Sequence, residues 1–186
     1  MARKDFGPAP LCLPQPVFIV AAYDAEGTPC AMNAAWGGIS DNDEVSLCVS
    51  HTHKTVKNLV ESGAFTVSMA DAPHVAACDY VGIASGNQVA DKFEKAGFTA
   101  TPSAHVNAPV VNELPICLEC ELKSYDPETG RLVGRIANVS VDESAMTDGK
   151  VDLAKVQAIV FDPFNRDYHV IGQSVGGAWS CGKELM

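Results

Sequence analysis

The chain has 186 residues, 47% of them hydrophobic and 19% charged, with a formal net charge of −10. That length is enough for one domain with a full core. The acidic balance argues against general nucleic-acid binding and against attachment to anionic membrane surfaces. No apolar run reaches the roughly 18 residues of a spanning helix, and no signal-like apolar stretch follows the basic start Met1-Ala-Arg-Lys4. The protein is therefore read as cytoplasmic.

The seven cysteines (12, 30, 48, 78, 117, 120 and 181) are odd in number and lack a framework spacing. That pattern fits free thiols in a reducing compartment. Cys30, Cys48 and Cys78 lie in apolar runs and are expected in the core. Cys117-Leu118-Glu119-Cys120 has the spacing of a redox or zinc pair. It falls inside a strand-like alternation, however, and no second pair completes a tetrahedral site, so a structural role is expected.

In chain order, residues 1–16 carry prolines at 8, 10, 14 and 16 and read as an extended arm. Val17 to Tyr23 is a buried strand and Thr28 to Trp36 its hairpin partner, with Gly37-Gly38 breaking or bulging the strand. An acidic turn (Asp41-Asn-Asp-Glu44) leads to a strand from Val45 to Ser50. Thr52 is expected to cap a helix that runs to about Ser62 and stops at Gly63. Phe65 to Met69 is a strand, and Asp71 and Pro73 open a helix through Val75–Val81. Residues 82–87 form a loop and Ala90 to Ala96 a short helix, followed by an irregular segment from Phe98 to Pro115. Ile116 to Ser124 and Leu132 to Val141 form a hairpin around Asp126–Gly130, with a slip in period that predicts a bulge. Val151 to Val156 reads as a helical turn, and Ala158–Phe161 with Tyr168–Ile171 as a last hairpin. Residues 172–186 are a Gly-rich tail. About eight strands and three helices joined by hairpin-like turns indicate a mainly β fold, an antiparallel barrel with helices packed outside. Residues 1–186 are read as a single domain. The dinucleotide fingerprint and the P-loop are both missing.

The stretch from Asn33 to Thr55 carries the chemistry. Asn33-Ala34-Ala35-Trp36-Gly37-Gly38 combines small residues with one large aromatic, which lets backbone approach a flat ligand. Ser50-His51-Thr52-His53-Lys54-Thr55 runs from a strand into a helix N-terminus, a natural anion site. A flat ring joined to a phosphate would use both halves. The bland readings stand beside these. Trp36 is equally a core residue by type. His51 and His53 lack a third ligand at metal-binding spacing. Ser85-Gly86-Asn87 is equally an ordinary turn. Lys54 is more informative than Lys57, because a lysine at a helix start opposes the dipole unless an anion is present.

Four segments in order resemble the flavin reductase-like family of FMN-binding split barrels, which includes the flavoredoxins. They are Met32–Gly38, Ser50–Thr55, Ser85-Gly86 with Asp91-Lys92-Phe93, and Cys117–Cys120. The resemblance implies a split barrel that forms a homodimer holding one FMN per subunit. The ring would lie on Asn33, Ala34, Ala35 and Trp36, with Val49 and Ser50 nearby and Ser85 and Gly86 at its edge. The phosphate would meet Ser50, His53, Lys54 and Thr55, with Lys92 close by. Many relatives place Arg before the phosphate-binding Thr; here the charge comes from His53 and Lys54, and Lys lacks the bidentate fork. The implied activity is an NAD(P)H-dependent flavin oxidoreductase, passing hydride from NADH or NADPH to FMN and on to free flavin or another acceptor. The alternative is a flavoredoxin-like electron carrier that docks onto a redox partner protein. A barrel without flavin, acting as a binding module, is a third.

Overall fold

The computed structural model describes residues 1–186, apart from the side chain of Glu184. In chain order the elements are β1 (Gln15–Pro16), β2 (Phe18–Tyr23), β3 (Pro29–Ala34), β4 (Gly37–Asp41), β5 (Glu44–Cys48), α1 (Lys54–Ser62), β6 (Ala64–Met69), α2 (Val75–Ile83), α3 (Lys92–Lys95), β7 (Ala100–Pro102), β8 (Pro109–Val111), β9 (Ile116–Asp126), β10 (Arg131–Val141), β11 (Met146–Thr147), β12 (Lys150–Val151), α4 (Leu153–Val156), β13 (Ile159–Asp162) and β14 (Asp167–Val170). No helix is long and apolar enough to cross a membrane.

The main sheet has seven strands in the order β3-β2-β6-β9-β10-β5-β4, all antiparallel. Its two outermost strands, β3 and β4, are joined in sequence by Ala35 and Trp36 alone. Opposite edges of a flat sheet this wide cannot be bridged by two residues, because neighbouring strands lie about 4.8 Å apart. The sheet must curl until its edges nearly meet, giving a mainly β split barrel whose seam lies at Ala35-Trp36.

Alternation along β2 accounts for the unbroken apolar run. Phe18, Val20 and Ala22 point into the barrel with Met32, Leu47, Phe65, Leu118 and Leu132. Val17, Ile19 and Ala21 join a second cluster outside, under α2 and α3, with Cys78, Val81, Phe93 and Phe98. A strand covered on both faces loses the polar side that would mark it as half-exposed. α1 seats Val56 and Leu59 in the barrel cluster and ends on Gly63 in the left-handed conformation, φ 71°. The expected bulge in β10 is present, with register shifts at Val133/Gly134 and Ile136/Asn138. Gly134 sits against the ring of fully buried Phe65; a Cβ there would overlap Cζ and lie 2.8 Å from Cε1.

Several expectations are corrected. Gly37-Gly38 does not end the sheet: it opens β4, which pairs with β5, and the strand break falls at Ala35-Trp36. The acidic residues 41–44 are not all turn, since Asp41 and Glu44 pair at the strand ends. Residues 98–115 are not wholly irregular: β7 and β8 form a ladder. β8 lies against β6, where Thr66 donates to the Pro109 carbonyl at 2.6 Å. α2 starts at Val75, while Asp71 forms an isolated bridge to Ala158 and accepts from the His74 amide. The helical turn expected at Val151–Val156 is α4, which brings the α-helices to four. Cys48 is exposed, because it is on the outward phase of β5 between buried Leu47 and Val49. Cys117 and Cys120 are buried free thiols on opposite faces of β9, and burial pushes them up to about 11 and about 12. Both are therefore protonated, structural residues.

Replacing Gly134 by Ala should destabilise the fold by about 1–3 kcal/mol, the cost of overpacking a filled core. Urea unfolding of Gly134→Ala with an unchanged m-value checks this.

Candidate functional site

The seam strands and the start of α1 enclose a groove. Its larger part, about 500 Å³, is lined by Met32 to Trp36, Cys48 to His51, His53 and the β9–β10 turn Pro127–Gly130. Its second part, about 270 Å³, is lined by Met32, Asn33, Thr52, His53, Val81 to Ser85, Asn87 and Lys92. Met32, Asn33 and His53 line both, so the two parts adjoin along these residues.

The larger end is built from backbone and apolar surface. β3 is an edge strand, so its outward N–H and C=O groups are not taken by another strand. Trp36 follows it, 54% exposed at the lip, and its carbonyl accepts from the Cys48 amide at 2.8 Å. Val49 is fixed from two sides. Its amide donates to the Gly130 carbonyl at 2.8 Å, and its carbonyl accepts from the Tyr125 hydroxyl at 3.1 Å. Gly130 has φ 72°, and a Cβ there would stand 2.8 Å from the Val49 oxygen, so only glycine lets the turn close on this wall.

The second end is cationic. The amides of Lys54, Thr55 and Val56 begin α1 and have no carbonyl of that helix to bond. His53, not Thr52, is the N-cap, and it makes no capping bond. The Ser50 and Thr52 hydroxyls bond each other at 2.9 Å. No side chain therefore caps the end of α1. Lys92 is only 4% exposed. Its ammonium donates to the Val81 and Ala84 carbonyls at 3.1 and 3.0 Å, closing the C-terminal end of α2. It has three donors and, among the described residues, makes no ion pair. Burial lowers its pKa, and the nearby Cys30 thiol pulls it partly back. Burial, and then the charge of Lys92, hold His53 below the usual histidine range. A pocket that disfavours protonated histidine beside a buried ammonium has room for negative charge.

Most of the expected site residues meet here: Asn33, Ala34, Ala35, Trp36, Val49, Ser50 and His53 line the groove, and Ser85 and Lys92 stand at its cationic end. Others are placed differently. The Lys54 ammonium pairs with Asp24 at 3.2 Å, so the anion that offsets this helix-start lysine is within the chain. The Thr55 hydroxyl turns inward to Cys30 Sγ at 3.3 Å. Both keep backbone amides at the helix start. Gly86 backs the wall, where a Cβ would stand 3.0 Å from Cys30 Sγ. Sequence reasoning missed the wall formed by Pro127–Gly130. The strong turn there was visible, but only the pairing of β10 with β5 brings it to Val49.

A split barrel with an apolar groove at its seam and a cationic end at a helix start defines a class of binder for flat, anionic ligands. The chain belongs to the flavin reductase like domain family, whose model matches residues 11–157. It is similar to the solved structure of flavoredoxin of Desulfovibrio vulgaris (Miyazaki F), at 36% identity over 98% of this chain and 100% of that one, with a TM-score of 0.93. Flavoredoxin from Methanosarcina acetivorans matches at 25% identity over the whole of both chains, TM-score 0.87. An FMN-binding domain of flavin reductases-like enzyme from Shewanella baltica OS155 shares the fold, with 19% identity over 88% of this chain and 89% of that one, TM-score 0.78.

Lys92→Met should lower stability by about 2 kcal/mol, because it leaves the Val81 and Ala84 carbonyls without a donor. The drop in unfolding free energy relative to wild type checks this.

Proposed function

We propose that the protein is an FMN-binding flavoprotein oxidoreductase that takes hydride from NADH or NADPH and passes electrons to free flavin or another acceptor. The observation that carries this reading is the adjacency of an aromatic-lipped apolar pocket and a cationic one, which share Met32, Asn33 and His53. FMN has matching parts in matching order: flat ring, polyol linker, phosphate. The size agrees too, since small-ligand sites run to about 300–1,000 Å³. The buried, ion-pair-free ammonium of Lys92 suits a phosphate better than any neutral group.

Bound FMN would supply the hydride and electron chemistry, as cofactors of this kind do. The chain's own residues bind, orient and shield. Trp36, Val49 and the Asn33–Ala35 backbone flank the ring. Ser50, His53, Lys92 and the first amides of α1 hold the phosphate, Lys92 acting as a point charge. Backbone N–H groups at the seam favour negative charge on the ring. No protein acid or base is assigned. A homodimer follows the same reading: Trp36 at the groove's lip and Ile39 in the edge strand β4 that follows it stand exposed, where a second copy would cover them. Seven free cysteines fit a cytoplasmic setting. A second reading, an electron carrier docking to a redox partner protein, is favoured by the similarity to flavoredoxins along the full chain.

The test is the visible spectrum of the protein after FMN loading and desalting, followed by anaerobic NADH or NADPH. Stoichiometric flavin that bleaches, with a rate saturating in pyridine nucleotide, is expected. Flavin that stays oxidised moves the assignment to the carrier, and no retained flavin overturns the cofactor site. His53 adds a pH signature. A phosphate opposite it raises its depressed pKa, so binding takes up a proton. The ratio of wild-type to His53→Gln affinity for FMN should therefore grow as pH falls from about 8 to 6, measured by flavin fluorescence quenching.

A further inference from the structure

The tail, residues 172–186, leaves the body after β14, where the Ile171 amide donates to the Ala158 carbonyl at 2.9 Å. Its own bonds shape it. The Gly177 carbonyl accepts from the Ser180 and Cys181 amides at 3.3 and 3.0 Å and from the Ser180 hydroxyl at 3.0 Å. A 3₁₀ turn follows at Cys181–Leu185. Trp179, inside that loop, takes φ 56°, a conformation that an aromatic residue rarely adopts unless its surroundings impose it. Its own chain imposes nothing: Val175, Trp179 and Leu185 are 99%, 96% and 93% exposed and join neither core cluster.

The surface area points the same way. The chain exposes 11174 Å², whereas a folded monomer of 19.6 kDa exposes about 8,600 Å². Hidden on two copies, the excess of about 2,600 Å² per chain reaches the upper end of obligate dimer interfaces, about 2,000–5,000 Å² in total. Transient redox encounters bury less than about 1,200 Å². A receiving site is present on the same chain. A second groove, of about 460 Å³, has a lining that includes Trp36, Leu47, Cys48 and the start of β10, Arg131 to Val133. It adjoins the ligand groove at Trp36 and Cys48, which line both. Arg131 makes no ion pair among the described residues, which leaves its guanidinium for the face of an indole.

We propose that the tail of each copy crosses to a second copy of this chain and seats Trp179 in the groove lined by Trp36 and Arg131. This rests on the homodimer reading. A chain that carries both the knob and the hole makes the contact twice about one two-fold axis, which closes the pair. Seated there, the crossing tail backs Trp36, so each copy steadies the lip of the other's ligand groove.

Two measurements on the full chain test this. In sedimentation equilibrium, wild type should be a dimer, and Trp179→Ala should raise its dissociation constant about 30-fold or more, the loss of a buried aromatic anchor. Trp179 packs on nothing in its own chain, so the substitution leaves the fold intact. The second measurement uses a Cys12→Ser background, in which Cys48 and Cys181 are the exposed thiols that remain. Cys181 is two residues from Trp179 and Cys48 lines the groove, so the thiol oxidant diamide should join them across copies within disulfide reach. The product is a band of twice the chain mass on a non-reducing gel, absent from Cys181→Ser. A dimer whose dissociation is unchanged by Trp179→Ala, or one whose disulfide forms only within a single chain, overturns the tail exchange and leaves the homodimer reading standing. A monomeric wild type overturns both.

Discussion

The two-residue link from β3 to β4 is the constraint on which the structure depends. It ties the outermost strands of a seven-stranded sheet to each other, so the sheet curls into a barrel with a seam. Closure makes one dry interior for Phe65, Leu132 and their neighbours. It also leaves β3 as an edge with no further strand of the chain paired to it. Edges are ordinarily a liability because their backbone groups remain unpaired. Here the same unpaired groups line a groove, and Trp36 stands at its lip because it is itself half of the link.

Charge in the groove is arranged around helix ends. The start of α1 offers free amides and no side-chain cap. The end of α2 offers free carbonyls, which Lys92 takes up from the buried side. One ammonium thus completes a helix and adds positive charge beside the other helix's positive end. In an otherwise acidic chain, this local inversion matters more than net charge for an anionic ligand. Lys54 shows the contrast: one residue from the N-cap, its charge is already matched by Asp24.

Fold and family were largely legible in the residues. Hairpin turns at Asp24–Gly27 and Asp126–Gly130 and the slipped period of Leu132–Val141 placed the long strands and the β10 bulge. The site was legible where it is contiguous, from Asn33 to Trp36 and from Val49 to His53. It was misread where burial depends on strand phase or a distant partner. Cys48 looked like core because its neighbours are apolar, yet it is on the outward phase of β5. Segment 98–115 looked irregular because its prolines hide two three-residue strands whose ladder partners lie within the same loop.

The sequence by itself determined a mainly β chain, its turns, its apolar strands and a ring-and-phosphate pattern, since those follow from periodicity and residue type read locally. Only the tertiary structure decided which charges are free and which are paired. Asp24 reaches Lys54 and the α2 carbonyls reach Lys92 through contacts between elements far apart in the chain. It also decided that Tyr168 and Asp79, 89 residues apart in the chain, meet in a hydrogen bond. Hydrogen-bond direction is set by what faces a group in space, and no spacing rule along one strand carries that information.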